Sequence, residues 1–241
     1  MLRQVEPPPA PRAVTMLTLV HGWPDDANRW LGGVLAHTAP HDFEALLVDN
    51  SGDPRVGERL AAGREDRVRV LTVAPPAGWA EAANRALAAA TGEVVVLFDP
   101  GVELHGDVAG PLVAALADPA VAVAGPFGVR GRGHVGEFEA ADGPDVDAVE
   151  GYVLAFRRAE ALAAGGFDRK FRFYRLADLE LCLRLRDRTG ARALAVPDLP
   201  VERHEHRLWE SLDPAERERR SRRNYHRLRE RWGTRQDLIS G

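Results

Sequence analysis

Polar side chains stand directly after three apolar segments in the first half of the chain: His21, Asp49 and Asp99. Each segment has the apolar, β-branched composition of a buried strand. The carboxyl ends of parallel strands meet at one edge of a sheet, where ligands bind. Carboxylate oxygens at such an edge accept hydrogen bonds and bind divalent cations. The three residues are therefore candidates for one binding site.

The two carboxylates each have a structural role as an alternative. Asp49 can accept hydrogen bonds from a base or ribose, and it can equally form an Asx turn before Gly52. Asp99 can bind a ligand, or it can be a turn residue before Pro100. The residues alone leave both alternatives open.

The elements that position these residues alternate between strand and helix. We predict strands at 14–20, 43–48, 68–73 and 94–98, and helices at 26–37 and 79–90. Strands that are apolar throughout and alternate with helices are typical of a parallel sheet covered on both faces.

The second half of the chain is less regular. We predict helices at 111–117, 178–188 and 214–232, and strands at 121–124, 148–156 and 193–196. The Gly-rich stretch 128–147 has no periodicity, which predicts a mobile flap rather than a packed element. We expect that flap to close over the site.

Composition excludes several classes of protein. The 241 residues are 45% hydrophobic and 28% charged, as in ordinary globular proteins. No apolar run approaches the roughly 20 residues that are needed to cross a bilayer. The single cysteine, Cys182, excludes an internal disulfide and a cysteine-based zinc site. Residues 1–11 lack the order of a signal peptide, so we expect a disordered leader and a cytoplasmic protein.

Charge is divided unevenly between the body and the C-terminal segment. Residues 1–202 carry 29 acids against 21 bases, and residues 203–241 carry 7 acids against 11 arginines. The arginines alternate with glutamates at helical spacing, which indicates a solvated helix face with i,i+4 pairs. We therefore expect no nucleic-acid partner, with peripheral association with an anionic membrane as the lesser alternative.

Several short motifs follow one another along the chain in a characteristic order. They are VDNSGD at 48–53, GWAEAANRAL at 78–87, and GE at 92–93 with a strand into DPGVEL at 99–104. Next come EGY at 150–152, FRR at 156–158, GGFD at 165–168, ADLELCLRL at 177–185, His204 and the tail NYHRLRERWG at 224–233. Together these segments resemble family 2 glycosyltransferases of the GT-A fold.

The resemblance implies a fold and a reaction. The fold is α/β, a GT-A sheet that is mainly parallel and flanked by helices, with a C-terminal helical extension. The reaction is inverting transfer of a sugar from a nucleoside-diphosphate donor to a hydroxyl acceptor, with Asp178 as the general base. The alternative role of Asp178 is to offset the positive end of the helix that it begins.

The resemblance also implies binding residues. Those for the donor are His21, Asp49, Asn84, Asp99 and Gly101, and those for the acceptor are Glu150, Gly151, Gly166 and Asp168. A divalent cation, Mn or Mg, is expected on Asp99 and His204, whereas His206 is interpreted as a surface-loop residue. Trp23 and Trp79 stack on base or sugar, or fill the layer between sheet and helices.

Two positions depart from the family pattern. Gly101 replaces the second acid of the Asp-x-Asp motif that usually holds the cation, and Ala177 replaces the Glu that precedes the base. A catalytically degenerate protein that binds a nucleotide or a partner is therefore the alternative to an active transferase. The donor sugar, the nucleotide, the acceptor and the oligomeric state carry no sequence signal; a glycan, a lipid-linked sugar, a small molecule and a protein are all acceptor candidates.

A hydrolase is a weaker alternative. His21-Gly22-Trp23-Pro24 after an apolar strand is similar to the oxyanion-hole segment of α/β-hydrolases. That fold requires a Gly-x-Ser-x-Gly nucleophile elbow or its Asp variant downstream, and the sequence has none.

We divide the chain into three parts on these grounds. Residues 1–11 are the leader, and 12–205 are the glycosyltransferase-like domain. Within that domain, 12–104 form the nucleotide-binding half and 105–205 the acceptor half. Residues 206–241 form an Arg-rich helix that we expect to pack on the domain.

Overall fold

The computed structural model describes residues 12–62, 65–141 and 143–239; the predicted leader 1–11 lies outside them. The strands are β1 Arg12–Val20, β2 Phe43–Asp49, β3 Val68–Thr72, β4 Gly92–Phe98, β5 Val102–Leu104, β6 Val121–Gly125, β7 Gly128–Gly131, β8 Phe138–Ala140, β9 Asp145–Val146, β10 Ala148–Val149, β11 Val153–Arg157, β12 Arg192–Ala195 and β13 Val201–Arg203. The helices are α1 Pro24–His37, α2 Pro54–Ala61, α3 Trp79–Ala89, α4 Ala109–Ala117, α5 Arg158–Ala163, α6 Ala177–Thr189, α7 Arg207–Glu210 and α8 Pro214–Trp232.

Within the described residues, the largest sheet has eight strands in the order β3-β2-β1-β4-β11-β6-β12-β9. Strands β1 to β4 are mutually parallel because α1, α2 and α3 carry the chain back between them. Strand β11 runs antiparallel to both β4 and β6, and β9 runs antiparallel to β12. The predicted α/β sheet flanked by helices is confirmed, with most of its parallel pairing in the first half.

Both faces of this sheet are buried, each in its own apolar cluster. Met16 packs with Trp30 on one face, while its neighbour Leu17 packs with Phe156 on the other. All four side chains have an exposed fraction of 1% or less. Burial of such a side chain contributes about 1.5–3 kcal/mol, so the sheet holds the ends of β1, β2 and β4 in fixed positions.

The stretch 128–147 is not the unstructured flap predicted from its glycine content. It contains β7, β8 and β9, and β7 pairs with β8 and β10 in a second sheet. Val135 and Val146 are buried, and the buried Asp147 accepts a hydrogen bond from the Gly131 N–H at 2.8 Å. The prediction is wrong because strands of two to four residues are too short to show a period in the sequence.

The predicted single strand 148–156 is also divided. A turn at Glu150–Tyr152 separates β10 from β11, so these two strands belong to different sheets. This turn brings Gly151 against the first turn of α6.

A short antiparallel ribbon, β5 with β13, joins positions about 100 residues apart. It packs on α1, where a Cβ on Gly33 would lie 2.8 Å from the Leu104 carbonyl oxygen. The ribbon is continued by the hydrogen bond from the His204 N–H to the Gly101 carbonyl at 2.8 Å. The segment 204–206 is thereby placed beside the loop that follows β4.

Helix α8 begins and ends where the sequence predicts. Asp213 caps it by accepting a hydrogen bond from the Glu216 N–H at 3.0 Å, and Pro214 occupies its first turn. Leu228 and Trp232 are buried in the core cluster that also includes residues of α6. No helix in the described part of the chain combines the length and apolar character needed to cross a membrane.

Candidate functional site

The candidate site lies where β1 and β4 end. Two adjoining cavities of about 50 and 130 Å³ open there. Their shared lining residues are Trp79, Asp99, Gly151, Tyr174 and His206. The smaller cavity also contacts His21 and Gly101, and the larger one contacts Glu150 and Asp178. The fold therefore brings residues of both predicted halves to one place.

Asp99 is held from two sides. Its Oδ1 accepts a hydrogen bond from the Gly101 N–H at 2.8 Å, and its Oδ2 lies 2.6 Å from Nε2 of His206. The His206 Nδ1 accepts a hydrogen bond from the Trp209 N–H at 3.2 Å, so the ring proton lies on Nε2 and is donated to Asp99. The imidazole stacks on Tyr174 with 4.1 Å between ring centroids. His206, interpreted from the sequence as a surface residue, is thus part of the site.

Asp178 presents one carboxylate oxygen that the protein leaves unpaired. Its Oδ2 accepts a hydrogen bond from the Gly151 N–H at 2.6 Å, while Oδ1 is buried without a partner among the described residues. Burial raises the pKa of Asp178 to about 6, although the N–H groups of Gly151 and Leu179 act against this and the charge of Glu150 adds to it. An unpaired, desolvated carboxylate with this pKa is suited to accept a proton near neutral pH.

Leu176 sets the direction in which α6 starts. It has a left-handed backbone with φ of 65°, which is uncommon for a residue with a side chain. The helix begins at the next residue, and Asp178 occupies its first turn. Leu176 also lines the 130 Å³ cavity beside Asp178.

His21 is a neutral donor in the smaller cavity. Burial lowers its pKa to about 4, with a smaller lowering contribution from the neighbouring His206, and Asp99 and Asp49 oppose it. The His21 Nδ1 lies 3.3 Å from the amide nitrogen of Asn50, which can only donate, so Nε2 carries the proton. That Nε2 is buried and has no partner among the described residues. An N–H group in this state is available to a ligand oxygen.

Asp49 forms the Asx turn that the sequence left as one of two alternatives. Its Oδ1 accepts hydrogen bonds from the N–H of Ser51 at 3.0 Å and from the Ser51 hydroxyl at 2.6 Å. Its neighbour Asn50 exchanges two hydrogen bonds with the Ala77 backbone. These bonds tie the end of β2 to the segment that precedes α3.

Three of the predicted binding residues lie together but away from the cavities. Asn84 donates to the Phe167 carbonyl and accepts from the Phe167 N–H, both at 2.8 Å. A Cβ on Gly166 would lie 2.2 Å from the Asn84 Oδ1, and Asp168 accepts a hydrogen bond from the Lys170 N–H. In the structure these residues join α3 to the turn after α5, and none of them lines the two cavities.

The residues predicted for a divalent cation do not form a metal site. His204 pairs through Nε2 with Glu103 at 2.9 Å, on the β5–β13 ribbon. A Cβ on Gly101 would lie 3.0 Å from the carbonyl oxygen of Glu205, so the backbone of Glu205 would have to shift by a few tenths of an ångström to admit a second acid. Among the described residues, no group of three His, Cys, Asp or Glu side chains is arranged to bind a metal. The described side chains therefore do not by themselves supply a three-ligand set for Mn or Mg.

Aromatic and cationic residues also line the cavities, and sequence reasoning assigned the two tryptophans but not the arginines. Trp23 and Trp79 line the smaller cavity, which keeps their proposed role in stacking open. Arg175 and Arg203 line the larger one. The His-x-His spacing at 204–206 was a usable signal for His206, because alternate residues of an extended strand lie on one side. The strand ends at Arg203, so the two rings point to different partners.

Comparison with known proteins identifies a family and two solved structures that this chain resembles. The family model "Glycosyl transferase family 2" matches residues 29–180. The structure of GalNAc-T7 with UDP, GalNAc and Mn2+ superposes with a TM-score of 0.74 at 19% identity, covering 94% of this chain and 49% of that one. The mannosyltransferase PcManGT from Pyrobaculum calidifontis, in complex with GDP-Man and Mn2+, superposes with a TM-score of 0.61 at 23% identity. That match covers 79% of this chain and 56% of the other one. These likenesses establish the GT-A fold.

A curated relative shares more sequence but has no assigned activity. It is the uncharacterized protein y4gI of Sinorhizobium fredii, 27% identical over 231 residues. The match covers 83% of this chain and 25% of the relative. The chain thus spans about a quarter of that protein and about half of each solved relative.

Proposed function

The chain belongs to glycosyl transferase family 2, and on that premise we propose that it transfers a sugar from a nucleoside-diphosphate donor to an acceptor hydroxyl. The observation that carries the proposal is the Asp178 carboxylate. Its Oδ1 is buried and unpaired in the described structure, and Asp178 lines the cavity that adjoins the strand-end site. Such a group supplies the base that attack by a hydroxyl requires.

In the proposed reaction, Asp178 Oδ1 takes the proton of the acceptor hydroxyl as its oxygen attacks the anomeric carbon. The bond from that carbon to the diphosphate breaks on the opposite side, and the electron pair leaves with the diphosphate oxygen. One displacement of this kind inverts the anomeric configuration. The Gly151 N–H fixes Oδ2, so the other oxygen remains directed for proton transfer.

We place the donor nucleotide at the ends of β1, β2 and β4. The unpaired His21 N–H and the aromatic rings of Trp23 and Trp79 offer a hydrogen bond and stacking surfaces there. The solved relatives hold UDP in one case and GDP-mannose in the other, which supports a nucleoside diphosphate as the ligand class. Ligands of doubly wound sheets bind at this same edge.

The test is turnover with a panel of sugar donors. The purified chain is incubated with UDP-, GDP- and dTDP-sugars, and release of the nucleoside diphosphate is measured with and without candidate acceptors. Asp178→Asn is compared with Asp187→Asn, an exposed carboxylate near the other end of α6 that pairs with Arg235. We expect turnover to fall about 10²–10⁴-fold for Asp178→Asn only. A wild type that never exceeds Asp178→Asn with any donor would instead favour the degenerate binding protein.

A further inference from the structure

A leaving diphosphate gains negative charge as its bond to the sugar breaks, and a transferase must stabilise that charge. A divalent cation is one means of doing so. In this chain the position of the second motif acid is Gly101, and the backbone of residues 204–205 closes over it at 3.0–3.5 Å. No cation-binding side chain is present at this position, and the backbone beside it would have to shift by a few tenths of an ångström to admit one.

The histidine beside Asp99 does not replace the missing acid. Both nitrogens of His206 have protein partners, since Nδ1 accepts from Trp209 and Nε2 donates to Asp99. An imidazole with both nitrogens engaged offers no lone pair to a metal. Some other charge must therefore face the diphosphate.

Arginine side chains supply that charge in the same cavity. Arg175 and Arg203 line the 130 Å³ space together with Asp99 and Asp178. The Arg175 guanidinium lies over the Trp209 ring, 5.0 Å from its centroid, and has no carboxylate partner in the described structure. Arg203 lies over the Tyr152 ring at 4.7 Å. These contacts with ring faces hold the cations without neutralising them.

The carboxylate that pairs with Arg203 leaves much of the charge of this arginine available. Arg203 reaches Glu150 at 3.6 Å, a long contact between side chains that are both substantially exposed. Arg207, which lines the smaller cavity, differs because Asp26 and Glu205 lie 3.3 and 3.5 Å from its guanidinium. Arg207 is therefore offset by two carboxylates, whereas Arg175 is offset by none of those described.

We propose that Arg175 and Arg203, rather than a divalent cation, neutralise the diphosphate leaving group. This rests on the proposed transferase function. A guanidinium carries a permanent charge and a planar set of N–H donors that matches phosphate oxygens. As the bond from the anomeric carbon to the diphosphate breaks, the electron pair moves to the diphosphate oxygen, which the two arginines face. The proton of the acceptor goes to Asp178, so no co-reactant is required.

Binding measurements test this without depending on turnover. UDP, GDP and dTDP are each titrated by calorimetry beside the matching nucleoside, once with EDTA and once with Mn2+. We expect one diphosphate to bind more tightly than its nucleoside in EDTA, with Mn2+ changing that affinity less than about threefold. Arg175→Gln and Arg203→Gln should each weaken the diphosphate about 5–50-fold and leave the nucleoside unchanged. Arg175→Lys should recover part of the lost affinity, because lysine restores the positive charge but not the planar set of N–H donors of the guanidinium.

Arg188→Gln is the matched control, because Arg188 is exposed at the far end of α6 and lines neither cavity. Circular dichroism and the melting temperature report whether each variant is folded. Diphosphate affinity that exists only with Mn2+, or that survives both glutamine variants, overturns the inference and leaves the transferase proposal standing. Failure of all three diphosphates to bind under both conditions removes the transferase proposal, and the inference with it.

Discussion

Gly151 and Asp178 are in direct contact across the site, although 27 residues separate them. The Gly151 N–H donates to the Asp178 Oδ2 at 2.6 Å, and a Cβ added to Gly151 would lie 2.6 Å from the Asp178 Cβ. Real Cβ atoms essentially never approach so closely. The turn between β10 and β11 therefore needs glycine so that its backbone can hold the carboxylate.

Gly151→Ala should misplace Asp178 while leaving it chemically intact. A displacement of about 1 Å at a reacting group can reduce turnover 10²-fold, so we expect kcat to fall by one to two orders of magnitude. The measurement is kcat with the donor found in the panel, together with circular dichroism. A folded Gly151→Ala with wild-type kcat would show that the position of Asp178 does not matter.

Asp178→Asn should stabilise the protein while lowering turnover about 10²–10⁴-fold. The pKa of Asp178 is raised from 3.8 to about 6, so keeping it ionised at pH 7.5 costs the folded state on the order of 1–3 kcal/mol. The amide removes that cost and can still accept the Gly151 hydrogen bond. Urea denaturation at pH 7.5 measures the difference.

The control for that measurement is Asp187→Asn at the exposed end of α6. Its ion pair with Arg235 is at the surface, so its loss should cost less than about 1 kcal/mol. Destabilisation by Asp178→Asn would mean that the carboxylate contributes to folding rather than being held there for chemistry.

Local sequence signals were sufficient for the elements that carry the site. Helix α8 matches its predicted span 214–232, because an Asp-Pro start and an apolar stripe are local features. The strand-end rule predicted His21 and Asp99 at one edge of the sheet, and both line the same cavity there. These inferences used only residues that are close to one another in the sequence.

Long-range pairing decided the features that the sequence did not reveal. His206 reaches Asp99 only because β5 pairs with β13, and nothing local to residue 206 encodes that pairing. Asn84 carries a family motif, yet both of its polar atoms bond to the backbone of Phe167, 83 residues away. Polar residues of the same type thus enter or leave the site according to tertiary contacts that propensity does not describe.

Adjacent glycines in α1 should respond oppositely to alanine. Gly32 has open space around its Cβ position, so Gly32→Ala should raise stability by about 0.5–1 kcal/mol through helix propensity. Gly33 faces the Leu104 backbone, with the added Cβ 2.8 Å from the carbonyl oxygen. Gly33→Ala should therefore lower stability by about 1–3 kcal/mol by pushing α1 away from β5. Equal melting temperatures for the two variants would contradict this packing.

The dependence of stability on pH should contain two opposing terms from the site. His21 has a folded-state pKa of about 4 against 6.5 when unfolded, so below pH 6.5 the unfolded state binds the extra proton and stability falls as the pH falls towards 4. Asp178 has a folded-state pKa of about 6 against 3.8 when unfolded. Between these values the folded state binds the extra proton, so stability rises as the pH falls from 6 to 3.8. In the wild type the two terms largely cancel.

Single variants should separate these terms. Relative to the wild type, His21→Asn should gain stability as the pH falls from 6.5 to 4, because the penalty from His21 is gone. Asp178→Asn should lose relative stability as the pH falls from 6 to 3.8, because protonation of Asp178 no longer helps the folded state. Each change should approach about 3 kcal/mol across its window. Free energies of unfolding from urea titrations at half-unit pH steps measure both curves, and a difference from the wild type that does not vary with pH would show that the corresponding group titrates alike in the folded and unfolded chains.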